Sequence, residues 1–174
     1  VGTSLANIIP TSIISAYSHY KMKAVDSNLI KLIAPSLILG VILGALVVSN
    51  ISGSVLMFIY AVLLFFIALL FFFWQDRWQL ADGFPRNNLK HVYGSLIGFL
   101  STIIGIGGGS LSTPLLKIYK FEIHRAIGTA AGIGAIIAIP GTIGFIISGI
   151  YNNVSLPLSL GYVNFLGLMM ISPM

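Results

Sequence analysis

The residues best suited to chemistry form one short run: Gly105-Ile106-Gly107-Gly108-Gly109-Ser110-Leu111-Ser112-Thr113-Pro114-Leu115-Leu116. Four glycines in five positions break a helix and let a ligand come close to the backbone. Residues after Gly109 can open a new half-helix, whose free N–H groups and positive dipole end suit a small anion. Ser110, Ser112 and Thr113 add hydroxyl donors. Pro114 fits a first helical turn, where its missing N–H costs nothing. The same glycines would equally serve close helix–helix packing, and both readings stand at this level. The run is neither a P-loop nor a dinucleotide fingerprint. No Gly-Lys-Ser/Thr follows it, no soluble strand precedes it, and no acidic residue follows at the needed spacing.

Other chemistries find few residues. With no cysteine in the chain, disulfides, thiolate metal sites and cysteine nucleophiles are excluded. The histidines His19, His91 and His124 are far apart and do not make a binding set, so no metal or other cofactor is expected. His19 reads as an interfacial histidine, and His91 and His124 as solvated near loops. Asp26, Asp76, Asp82 and Glu122 all sit close to Lys or Arg, which leaves no intramembrane carboxylate for proton coupling. Ser110 could in principle be a nucleophile, but no histidine lies in a later hydrophobic helix to act as its base. The chain is not expected to be an enzyme.

These residues must be held by helices in a bilayer. Of 174 residues only nine are Lys or Arg and four Asp or Glu, while 57% are hydrophobic. Mean hydropathy is +1.01. Soluble domains carry roughly 25% charged residues, so a soluble enzyme, a nucleic-acid-binding module and a disordered chain are all excluded. The net charge of +5 belongs to loops that orient helices. The fold class is an all-α polytopic integral membrane protein, with the lipid bilayer as its partner. The charge-free run from Leu32 to Gln75 can hold two helices of about 20 residues each. The turn-forming Ser49-Asn50-Ile51-Ser52-Gly53 divides it, predicting helices over 29–48 and 54–74. The aromatic run Phe71-Phe72-Phe73-Trp74 would close the second at the membrane–water boundary. Val1 to Tyr20, His91 to Leu116 and Ile127 to Met174 are the other apolar stretches. The last is long enough for two helices around a turn at Tyr151-Asn152-Asn153 and Pro157.

Charge placement predicts topology. Loops 20–31, 75–90 and 117–125 are basic, whereas 49–53 and 150–157 are uncharged. Lys and Arg bias a loop to the cytoplasmic side. All three basic loops share that side only if the segment 91–116 enters the membrane and returns, as a broken or re-entrant helix. Val1-Gly2-Thr3-Ser4-Leu5-Ala6 also matches Ile127-Gly128-Thr129-Ala130-Ala131-Gly132 without gaps, each opening a long apolar helix. With three crossings per unit the repeats would be inverted, a frequent design of secondary transporters. The expected organisation is one membrane domain, with 1–90 and 91–174 as incomplete first and second repeats. Val1 is no start methionine and no charged region precedes the apolar run, so a piece of a longer protein is expected, without a signal peptide.

The order of these motifs resembles a known family. Gly105-Ile106-Gly107-Gly108-Gly109 with Thr113-Pro114-Leu115-Leu116, then His124-Arg125-Ala126-Ile127-Gly128-Thr129-Ala130, looks like the second-repeat signature of the sulfite exporter TauE/SafE permeases. Val1-Gly2-Thr3-Ser4-Leu5, Ala16-Tyr17-Ser18-His19-Tyr20-Lys21 and Val25-Asp26 resemble its first repeat. Two departures are the absence of a first-repeat glycine cluster and of helices beyond Met174. The resemblance implies a permease of the bacterial inner membrane that moves a small anion, such as sulfite, an organosulfonate or a related sulfur compound. The alternative is a non-transporting subunit or a truncated remnant of such a permease. An alternating-access site between the repeats would use Gly107, Gly108, Gly109 and Ser110 for anion contact. Thr129, its counterpart Thr3, and Asn7, one helical turn from Thr3, would face the same site.

Overall fold

The computed structural model describes residues 1–72, 83–85, 87–152 and 159–171. Its helices are α1 (Gly2–Lys21), α2 (Ser27–Ser49), α3 (Gly53–Phe72), α4 (Leu89–Ile104), α5 (Gly109–Ile118), α6 (Ile123–Tyr151) and α7 (Phe165–Ile171). Between α6 and α7 lies a two-residue antiparallel pair, β1 (Ser159–Leu160) and β2 (Val163–Asn164). The helices predicted over 29–48 and 54–74 are α2 and α3, displaced by one or two residues at the ends seen. Phe73 and Trp74 of the aromatic run lie outside the described residues, as do Asn153 and Pro157 of the second turn. Helix α6 begins four residues before Ile127. By length and apolarity, α2 and α6 can each cross a membrane.

Polar capping sets where α2 starts. Asp26 is its N-cap, and its Oδ1 accepts the Leu29 N–H at 3.0 Å. That satisfies one of the four donors a helix start leaves unpaired.

Glycines then decide which helices can touch. A Cβ on Gly40 would stand 2.1 Å from the Ser95 carbonyl oxygen, and one on Gly98 would stand 2.3 Å from the Leu37 carbonyl oxygen. Gly44 lies against Phe99 and Gly94 against Ser36, so α2 and α4 run parallel with their backbones in contact. In lipid, where no hydrophobic force drives helices together, such small-residue seams are what permit close packing. Helix α1 lies antiparallel to α6: Gly2 meets Phe145, Leu5 meets Gly141 and Gly128 meets His19. A core among α2, α4, α5 and α6 gathers Leu29, Ile33, Leu37, Val41, Ile97, Leu116, Ile133 and Ile137. Leu39, Leu43 and Leu46 of α2 and Ile143, Ile147 and Ile150 of α6 stay exposed, as lipid-facing side chains do.

The glycine run turns the chain back. Helix α4 stops at Gly105 (φ 74°), Gly107 (φ 72°) and Gly108 (φ 78°) follow in left-handed conformations, and α5 starts at Gly109. No L side chain adopts three such angles cheaply, which is why glycine occupies all three. The ends of the hairpin meet. Tyr119 donates a hydrogen bond to the Tyr93 hydroxyl at 3.0 Å, and both rings stack edge-on against Phe84. At that same end Arg125 pairs with Asp26 at 3.2 Å, and Lys90 lines a cavity with Asp26, Phe84 and Phe121. The basic segments around Asp26, Lys90 and Arg125 thus share one face of the bundle.

Candidate functional site

The break between α4 and α5 sits at mid-depth. A Cβ on Gly108 would stand 2.4 Å from Ile137, which is the central residue of α6. Gly107 lies against Ile8 of α1, and its carbonyl oxygen would be 2.8 Å from a Cβ on Gly134. Ten-residue α5 spans about 15 Å, half of a hydrocarbon core about 30 Å thick. Its N-terminus therefore opens in the interior, enclosed by α1, α4 and α6.

Two polar contacts hold the break. The Ser4 hydroxyl donates to the Gly105 carbonyl at 2.8 Å, tying α1 to the end of α4. The Gly108 carbonyl accepts the Ser112 N–H at 2.8 Å, which closes the first turn of α5. The N–H groups of Gly109, Ser110 and Leu111 come too early in α5 to find intrahelical acceptors. A Cβ on Gly109 would meet nothing within 4 Å, so there is room beside this end.

Around it lie polar side chains without partners. Ser101 is completely buried, and its Oγ is 3.3 Å from the position a Gly108 Cβ would take. That oxygen has no hydrogen-bond partner, and neither have the buried hydroxyls of Ser110 and Ser112 on α5. Asn7, 9% exposed and adjacent to Ile8, leaves both its amide oxygen and nitrogen unpaired, and the Thr142 hydroxyl of α6 is likewise unpaired. Thr102 and Thr113, by contrast, donate to the carbonyls of Gly98 and Gly109 at 2.7 and 2.8 Å. An unsatisfied buried polar group costs about 1–3 kcal/mol, so the hydroxyls of Ser101, Ser110 and Ser112 together need a reason. A hydrogen-bonding ligand supplies one.

Of the residues singled out in sequence, Gly107, Gly108, Gly109 and Ser110 line the break, and Asn7 is buried at nearly the same level. Thr3 and Thr129 are not brought there. They lie at opposite ends of the α1–α6 pair, each accepting a hydrogen bond from a helix cap. The Asp26 N–H donates to Thr129 Oγ1 at 3.0 Å, and the Asn164 N–H donates to Thr3 Oγ1 at 3.0 Å. The surroundings match closely. Asn164 Oδ1 accepts the Gly167 N–H at 2.9 Å, as Asp26 accepts that of Leu29. Gly161 (φ 61°) precedes Asn164 by three residues, as Lys23 (φ 56°) precedes Asp26. Gly2 packs on the Tyr162 carbonyl and Gly128 on the Ala24 carbonyl. Each Gly-Thr pair of the sequence match therefore builds the same joint.

Ser4, Ser101 and Thr142 had no place among the sequence candidates. Isolated hydroxyls in apolar helices carry no spacing signal; the spacing in Gly40-x-x-x-Gly44 and Gly94-x-x-x-Gly98 is a signal for the α2–α4 seam alone.

The family model for the sulfite exporter TauE/SafE covers residues 1–173. The chain belongs to the TauE/SafE family. A probable membrane transporter protein of Haemophilus influenzae is 31% identical over 165 residues, covering 94% of this chain and 62% of that protein. One of Methanocaldococcus jannaschii is 31% identical over 169 residues, covering 92% of this chain and 62% of its own length. A third, from Bacillus subtilis, is 28% identical over 162 residues. This TauE/SafE chain thus spans 62% of the length of the first two relatives. No solved structure matches it.

Proposed function

We propose that the chain forms part of a multi-pass permease of the cell membrane, which passes a small anion through the break between α4 and α5. The observation that carries this reading is the set of unpaired hydroxyls around the N-terminus of α5. Ser101, Ser110 and Ser112 leave their oxygens unpartnered beside a helix end whose own N–H groups are free. Such a place favours negative charge through the helix dipole and oriented donors. Gly107 and Gly108 form the turn against Ile8 and Ile137, Gly109 leaves its side open to close approach, Gly109 and Ser110 donate N–H groups, and Asn7 adds an amide.

The kind of anion comes from relatedness. The family is named for sulfite export, and sulfite or an organosulfonate is a pyramidal or tetrahedral oxyanion with several acceptors for these donors. The twin joints at Thr3 and Thr129 support two inverted repeats, between which alternating access would expose the break to either face.

Reconstituting the protein in vesicles and following sulfite flux tests the reading. Ser101→Ala should raise the half-saturating concentration several-fold, and Gly108→Leu, whose side chain would run into Ile137, should abolish flux. Unchanged flux and affinity in both variants would remove the break from the pathway.

A further inference from the structure

Resting on that reading of the break, we propose that the site selects singly charged oxyanions over doubly charged ones of the same shape. The donors described at the break are neutral: the N–H groups opening α5, the hydroxyls of Ser101, Ser110 and Ser112, and the Asn7 amide. Ser101 is fully buried with its oxygen beside Gly108, the N-cap of α5, so a ligand there is enclosed on the α4 side. Among the described residues, Lys and Arg lie towards helix ends. The one on α5 itself is Lys117 in its last turn, about 12 Å along the axis from Gly109. What compensates an anion at the break is a helix end worth about half an elementary charge, together with neutral dipoles.

Charge number then decides the outcome. The cost of taking an ion out of water grows with the square of its charge, so a dianion loses about four times the hydration of a monoanion of equal radius. The half-charge of the helix end gains only twice as much from the dianion. Neutral donors gain in the same linear proportion. A site compensated by dipoles alone therefore favours the smaller charge, whereas one containing Lys or Arg would accept two.

Methanesulfonate and sulfate are both tetrahedral and similar in size, and differ by one charge. Influx of each, labelled, into vesicles containing the protein should show methanesulfonate half-saturating at a concentration at least about tenfold below sulfate. Ser101→Ala should weaken both and keep their order. Gly109→Lys, at a position where a Cβ meets nothing within 4 Å, brings a cation to the start of α5 and should narrow the ratio or reverse it. Sulfate equal to or better than methanesulfonate, with both sensitive to Ser101→Ala, would overturn the charge selection and leave the anion site standing. If neither anion enters and neither variant matters, the anion site itself fails. A ratio unmoved by Gly109→Lys in protein that still carries methanesulfonate also overturns the proposal.

Discussion

The phenolic oxygens of Tyr93 and Tyr119 lie 3.0 Å apart, at the entry and the exit of the glycine hairpin. Burial first, and then the hydrogen bond with Tyr93, push the Tyr119 hydroxyl up to about 12, so it keeps the proton it donates. Between these two residues the chain runs inward along α4, turns over three left-handed glycines and returns along α5. Their contact holds the two ends of the segment together on one face of the bundle.

That geometry predicts which loops share a side. The chain has no cysteine, so single cysteines can be introduced without background. Asn87→Cys and Lys120→Cys should both react with an impermeant maleimide from one side of sealed vesicles, and Asn50→Cys only from the other. Labelling of Asn87→Cys and Lys120→Cys from opposite sides would mean that the segment crosses.

The seam of α2 and α4 should be intolerant of volume. With the Ser95 carbonyl 2.1 Å from a Cβ on Gly40, Gly40→Val requires the two backbones to separate. Overpacking of this kind costs about 1–3 kcal/mol. A lowered melting temperature in detergent is the expected result. Gly53→Ala, where a Cβ meets nothing, is the control and should leave it unchanged.

The two threonine joints should matter for stability and not for selectivity. Thr129→Val removes the acceptor for the Asp26 N–H, and Thr3→Val removes that for Asn164. Each loss should cost about 1–2 kcal/mol, with Thr→Ser recovering most of it. Thermal unfolding gives the cost. The ratio of methanesulfonate to sulfate uptake should not move, because neither hydroxyl reaches the break.

At Asp26 the cap should outweigh the ion pair. The Arg125 side chain is 49% exposed in this pair, and exposed pairs contribute about 0–1 kcal/mol. Arg125→Gln should therefore change stability little, and less still in high salt. Asp26→Ala also strips the Leu29 N–H of its acceptor and should cost about 1 kcal/mol more. Equal effects of the two substitutions would show that the carboxylate acts through its charge.

Much of this architecture is local chemistry and could be read without coordinates. Charge-free runs predicted α2 and α3 to within two residues at each described end, because hydropathy and turn residues act over a few positions. The return of segment 91–116 followed from loop charges, since Lys and Arg resist burial in lipid regardless of what packs nearby. Gly107 to Ser110 announced themselves by composition alone.

Tertiary structure decided what each hydroxyl does. Thr3 and Thr129 share a motif that looked fit for a ligand, yet each is occupied by a helix cap more than 100 residues away in the chain. Ser101 sits in an ordinary apolar helix, yet packing leaves its hydroxyl without a partner beside the N-cap of α5. A hydroxyl's identity is written in the sequence, but whether it is satisfied depends on which backbone comes within 3 Å. Long-range packing alone sets that distance.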